Sequence, residues 1–242
     1  MVTLSKLRRH GARALLGILV DRTGLTRVGK SLLGRGFDIR HGTTTCGIVR
    51  LESLNIESRS KGQGQFYVAT PRYEFTHVLR QASIDPREYI FLDQGCGMGV
   101  VLLYAIEAGF RKVIGVEFSP DLAAIARENA RKFCGDGDGR MEVVTGDATE
   151  FRIPLEPCVI FYFNPFSAAI AAATLARAKE AYDAGNCDIY LIWYNVTANA
   201  EPLFQADWLQ MLADGRNRPG RASFLSASNL RLPYVIFKAK PR

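Results

Sequence analysis

Short apolar runs alternate with amphipathic stretches along most of this chain, and each run closes on a polar or glycine-marked turn. Tyr89 to Leu92 is the first solid run, and it ends on Asp93. Val100 to Ala108 has helical spacing, and Val113 to Val116 is a second strand-like run ending on Glu117. Ser119 and Pro120 then open a helix as its cap and first turn, with Ala123, Ile125, Ala126, Ala130 and Phe133 expected on its inward side. Met141 to Val144 reads as a third strand. Cys158 to Phe163 reads as a fourth, apolar enough to be covered on both faces. An alanine-rich helix follows from Ala168 to Tyr182, then a fifth strand from Asp188 to Tyr194. Beyond it the pattern predicts a helix over Glu201 to Ala213 and a closing hairpin of Ala222 to Ser226 with Pro233 to Ala239.

Upstream, Thr70 is expected to cap a helix that starts at Pro71 and reaches about Ser83, with Phe75, Val78 and Leu79 inward. Residues 1–36 read as one or two short amphipathic helices, set apart from a single domain over 37–242. Strands alternating with helical stretches predict an α/β fold built on a mostly parallel sheet.

The densest chemistry lies where the first strand meets the first helix of that sheet. Asp93-Gln94-Gly95-Cys96-Gly97-Met98-Gly99 is a glycine turn between strand and helix, and Glu117 follows 22 residues after Gly95. An acid about 20 residues beyond such a turn suits a ribose. A dinucleotide turn has the spacing G-x-G-x-x-G and holds a pyrophosphate on a helix N-terminus. Here the spacing is G-x-G-x-G, and Asp93 would repel a pyrophosphate. A carboxylate there suits a ligand carrying a sulfonium and an ammonium group. These features argue against a nicotinamide-dependent oxidoreductase.

On these residues the chain resembles the class I S-adenosylmethionine (SAM)-dependent methyltransferases, whose first motif is D/E-x-G-x-G-x-G. The resemblance implies a Rossmann-like doubly wound seven-stranded sheet, with SAM as the cofactor. It implies a cofactor site of Asp93, Gly95, Cys96, Gly97, Gly99, Glu117, Phe118, Asp147 and Ala148, in which Asp93 meets the ammonium group, Glu117 the ribose and Asp147 the adenine amino group. Phe37-Asp38-Ile39-Arg40-His41-Gly42, then Tyr67 ahead of Thr70-Pro71, and Asp85-Pro86-Arg87-Glu88-Tyr89 at the strand entry are similar to a bacterial subgroup of that family. The similarity spans roughly residues 37–200. At the end of the fourth strand, Asn164-Pro165-Phe166 resembles the N/D-P-P-Y/F/W motif of amino-methylating members and lacks its second proline. By that resemblance these three residues are the catalytic candidates. An Asn carbonyl can accept an amine's hydrogens, and an aromatic face favours a nearby cation. The implied acceptor is a protein amine, a nucleic-acid base or a small amine. A non-catalytic binding protein on the same fold is the competing class.

Composition changes this picture in two places. Net charge is +7 over 242 residues, and residues 1–40 hold nine basic groups against two acids, so that segment accounts for all of it. Such an arm suits nucleic acid, an acidic membrane surface or an acidic protein. Its apolar core, Ala14 to Val20, is too short to cross a bilayer, and no export cleavage site is evident. The five cysteines have no C-x-x-C spacing and the three histidines lie far apart, so neither a metal site nor a disulfide framework is expected, and a reducing, cytoplasmic setting fits.

Overall fold

The computed structural model describes residues 35–46, 48–49, 67–163, 167–186, 188–216 and 232–242. Its centre is a seven-stranded sheet. The strands are β1 (Ile90–Gln94), β2 (Lys112–Glu117), β3 (Met141–Thr145), β4 (Cys158–Phe163), β5 (Ile189–Tyr194), β6 (Leu209–Asp214) and β7 (Tyr234–Ala239). They lie in the order β3-β2-β1-β4-β5-β7-β6. The first five run parallel, and β7 pairs antiparallel with both β5 and β6. The doubly wound expectation holds. The strand order reverses between β1 and β4, which opens a crevice at the carboxyl ends of those two strands.

Alternate residues of the central strands feed two cores. Leu92, Ile114, Ile160, Leu191 and Trp193 face α4 (Ala168–Asp183), against Ile170, Ala171, Leu175 and Ala178. Phe91, Val113, Val159, Phe161 and Ile192 face the other way, against α1 (Arg72–Ala82) and α2 (Val100–Ala108). The third long helix, α3 (Pro120–Cys134), joins β2 to β3. Its Ser119 cap accepts a hydrogen bond from the Leu122 N–H and Pro120 sits in its first turn, as the sequence predicts. Trp193, Tyr194 and Trp208 are all core side chains.

Two expectations change. Pro71, not Thr70, occupies the cap position of α1, and the helix starts at Arg72. The helix expected over Glu201 to Ala213 stops at Gln205 as the short α5 (Glu201–Gln205), and Leu209–Asp214 is strand β6. The reason is the edge of β7: with β5 on one side, its other row of backbone groups is satisfied by residues 209–214. Both edges of β7 are taken, by β5 and β6; Ala222 to Ser226, expected as its hairpin partner, lies outside the described residues. A helical segment covers residues 35–41; of the helical extension expected over residues 1–36, residues 1–34 lie outside the described residues. Among the described residues, no helix is long and apolar enough to cross a membrane, and no cluster of His, Cys, Asp and Glu could hold a metal ion.

Candidate functional site

At the tip of β1 the chain makes its tightest turn. Gly95, Gly97 and Gly99 have φ of 90°, 55° and 83°, a region that L side chains avoid. Alternating glycines therefore let the backbone fold over the strand end. The turn is stitched to β2: the N–H groups of Gly95 and Cys96 both donate to the Val116 carbonyl, at 2.8 and 3.1 Å. The Gly97 N–H donates to one oxygen of the Glu117 carboxylate at 2.8 Å, and the Ser119 N–H to the other at 2.9 Å. Glu117 is thus held rigid at the end of β2, with Phe118 half-buried beside it.

Two carboxyls share this small volume. Asp93 and Glu117 are each 3% exposed. Burial pushes Asp93 up to about 8, with the neighbouring Glu117 charge adding to the shift. Burial also raises Glu117, opposed by hydrogen bonds from the Ser119, Gly97 and Phe118 N–H groups. Asp93 has no such support: its carboxyl accepts no hydrogen bond among the described residues. Beside it, among the described residues, Gln94 is fully buried with neither amide atom hydrogen-bonded, and the Tyr194 hydroxyl at the end of β5 is buried without a partner. Buried polar atoms left unpaired cost about 1–3 kcal/mol each.

The remaining sequence candidates divide. Asp147 sits just past β3, where its carboxylate closes a turn by accepting from the Thr149 N–H and hydroxyl at 2.9 and 2.8 Å. Ala148 is buried in the core on the α4 side. The Cys96 side chain points inward: it is 4% exposed and packs against Gly115 of β2, so only its backbone faces the ligand side of the turn. Its thiol is raised well above the ordinary value by burial and by Glu117 and Asp93. Asn164, Pro165 and Phe166 lie outside the described residues. The residue before them, Phe163, ends β4 and stacks on Tyr194 with ring centroids 5.4 Å apart.

The sequence reading missed Asn129. It placed Ala130 on the inward side of α3, whereas Asn129 is the buried residue, at 1% exposure. Its amide contacts both the glycine turn and residue 44. A polar residue among inward-facing alanines was the available signal.

The fit to SAM follows from these groups. Asp93 is a buried acid lacking a partner among the described residues, which an ammonium group would supply, and Glu117 is a carboxylate fixed at the end of β2 that can accept from a hydroxyl. Residues 91–183 match the family described as a methyltransferase domain. Among solved structures, the chain is similar to magnesium protoporphyrin IX methyltransferase from Synechocystis PCC 6803 with bound SAM, at 14% identity and a TM-score of 0.52 over 70% of this chain and 79% of that one. It is also similar to the B. subtilis M1A22 tRNA methyltransferase, at 15% identity and a TM-score of 0.50 over 67% and 65% of the two chains. At these identities the likeness is one of fold.

Proposed function

We propose that this chain is a class I SAM-dependent methyltransferase that methylates a nitrogen atom of an amine acceptor. The observation that carries the nitrogen reading is the Asn164-Pro165-Phe166 motif, which follows β4 in the sequence, and β4 pairs with β1, the strand that leads into the glycine turn. In this reading the Asn164 side-chain carbonyl accepts the amine's N–H and fixes the direction of its lone pair. Pro165 stiffens the backbone, and Phe166 offers an aromatic face to the cation that forms. Holding the nucleophile in line is the protein's main contribution, because SAM brings a methyl group already activated on sulfur. Asp93 holds the ammonium group, Gly95 to Gly99 close over the amino-acid part, Glu117 and Phe118 receive the ribose, and Asp147 with Ala148 receives the adenine.

The acceptor classes are a protein amine, a nucleic-acid base and a small amine. The basic residues of 1–40 favour an acidic macromolecular partner, and a cytoplasmic setting agrees with the cysteine pattern. The test starts with calorimetric titration of SAM and, separately, NADH into the purified protein. SAM should saturate one site per chain and NADH should not bind. Methyl-labelled SAM then screens basic proteins, nucleic acids and small amines, and the label should appear on nitrogen, stable to alkali. An alkali-labile methyl ester as the product would overturn the nitrogen reading. SAM binding without turnover on any class would favour a non-catalytic binding protein.

A further inference from the structure

The α2–α3 seam carries a hydrogen-bonded link that ties the glycine turn to the described part of the N-terminal region. Asn129 on α3 donates from Nδ2 to the Met98 carbonyl inside the turn at 2.9 Å. The same Nδ2 donates to the Thr44 carbonyl at 2.9 Å, and Oδ1 accepts the Thr44 N–H at 2.7 Å. Three of the amide's four hydrogen-bonding positions are therefore used, in a side chain with almost no exposure. One buried side chain spans segments 31 and 85 residues away from it.

The far end of the link is itself braced. Asp38 accepts from the Thr43 hydroxyl at 2.7 Å, the Thr45 hydroxyl at 2.8 Å, the Thr45 N–H at 3.0 Å and the Cys46 N–H at 2.9 Å. Burial disfavours its charge, but these bonds outweigh burial and hold the carboxyl below the usual range. Phe37 packs edge-on against Tyr104 of α2 and stacks on Phe133 of α3, and His41 packs on Phe133. The segment 35–46 thus lies across both helices, its Thr43–Cys46 end fixed by Asp38 and joined to the turn through Asn129. At the turn's other end Gly99 has φ of 83°, and a Cβ there would sit a tight 3.1 Å from the Ala126 Cβ.

We infer that Asn129 is a positioning residue for the methyl-donor loop, and that through it residues 35–46 and the donor site stabilise each other. This rests on the donor reading of the turn. Gly97 donates to Glu117 and its neighbour Met98 is held by Asn129, so the two bonds fix the loop from opposite sides. Without Asn129 the Met98 carbonyl is buried and unpaired, and the glycines, which lose more freedom on ordering than other residues, regain alternative conformations.

The experiment compares wild type, Asn129→Ala and Asp38→Ala by SAM titration and by hydrogen exchange of the Thr44, Thr45 and Cys46 amides, with thermal melts to confirm folding. Asn129→Ala should weaken SAM binding about tenfold at a temperature where it is folded. In wild type, saturating SAM should slow exchange of the three amides by about the same factor, because coupling between two sites is reciprocal. Donor should no longer slow them in Asn129→Ala. Asp38→Ala leaves the Asn129–Met98 bond in place and should weaken SAM binding by less, and it keeps the idea testable if the Asn129 variant fails to fold. Unchanged SAM affinity in the folded variants, or amide exchange in wild type that ignores SAM, would overturn the inference. A wild-type protein that binds no SAM would instead remove the donor reading beneath it.

Discussion

Asp93 gives the sharpest quantitative prediction. In the donor-free protein its carboxyl is raised from 3.8 to about 8 by burial and by Glu117. A carboxyl raised on folding takes up protons that the unfolded chain does not hold. Its contribution is therefore complete below the unfolded value and is lost as pH climbs through the folded one. Between those limits each pH unit costs about 1.4 kcal/mol, so moving from about pH 5 to about pH 7 should remove about 3 kcal/mol of stability. Asp93→Asn keeps the size and polarity and removes the titration, so it should lack this slope. Glu117 titrates in both proteins, and the difference between them isolates Asp93. The assay is urea unfolding of protein stripped of SAM across that pH range. The variant should be the more stable of the two near neutral pH and should bind SAM at least tenfold more weakly, having lost the charge for the ammonium group. Adding SAM should stabilise wild type more than the variant at the same concentration. Parallel loss of stability in both proteins would show that Asp93 is not a buried unpaired acid, and unchanged SAM affinity in the variant would remove it from the donor site.

Three further outcomes are expected. Glu117→Gln keeps one carbonyl acceptor for the Gly97 or Ser119 N–H but sets an NH2 against the other. SAM affinity should therefore fall about tenfold or more, as read by calorimetry. Gly115→Ala would place a Cβ 2.6 Å from Leu102 Cδ1 and 2.7 Å from Cys96 Sγ, so it should destabilise the protein by about 1–3 kcal/mol in urea unfolding. Asn164→Ala should leave the SAM dissociation constant unchanged and lower kcat about a hundredfold once an acceptor is in hand, and equal turnover would exclude Asn164 from holding the nucleophile.

Local pattern was enough for much of this protein. Apolar runs that end on Asp93 and Glu117 reveal two strand tips, because a strand covered on both faces can turn polar only where it leaves the core. Gly95, Gly97 and Gly99 marked a turn between strand and helix, and the structure has that turn, with positive φ at all three. Ser119-Pro120 marked a helix start for reasons contained in two residues. What the sequence could not supply depends on which distant surfaces meet. Leu203 to Leu209 reads as one helix face, yet the unpaired edge of β7 draws residues 209–214 into a strand, and an open edge is not visible in periodicity. Cys96 stands inside the ligand motif, but the space left by Gly115 takes its side chain into the core. Asn129 looks like one polar residue in an amphipathic helix, and only packing brings Thr44 and Met98 to the same amide. The acid of Asp93 was legible; its altered proton affinity was not, because that comes from burial beside Glu117, a contact made by the parallel pairing of β1 with β2. Sequence determines local conformation and the residues available for chemistry, while the fold decides which of them share a volume and how much water is left around them.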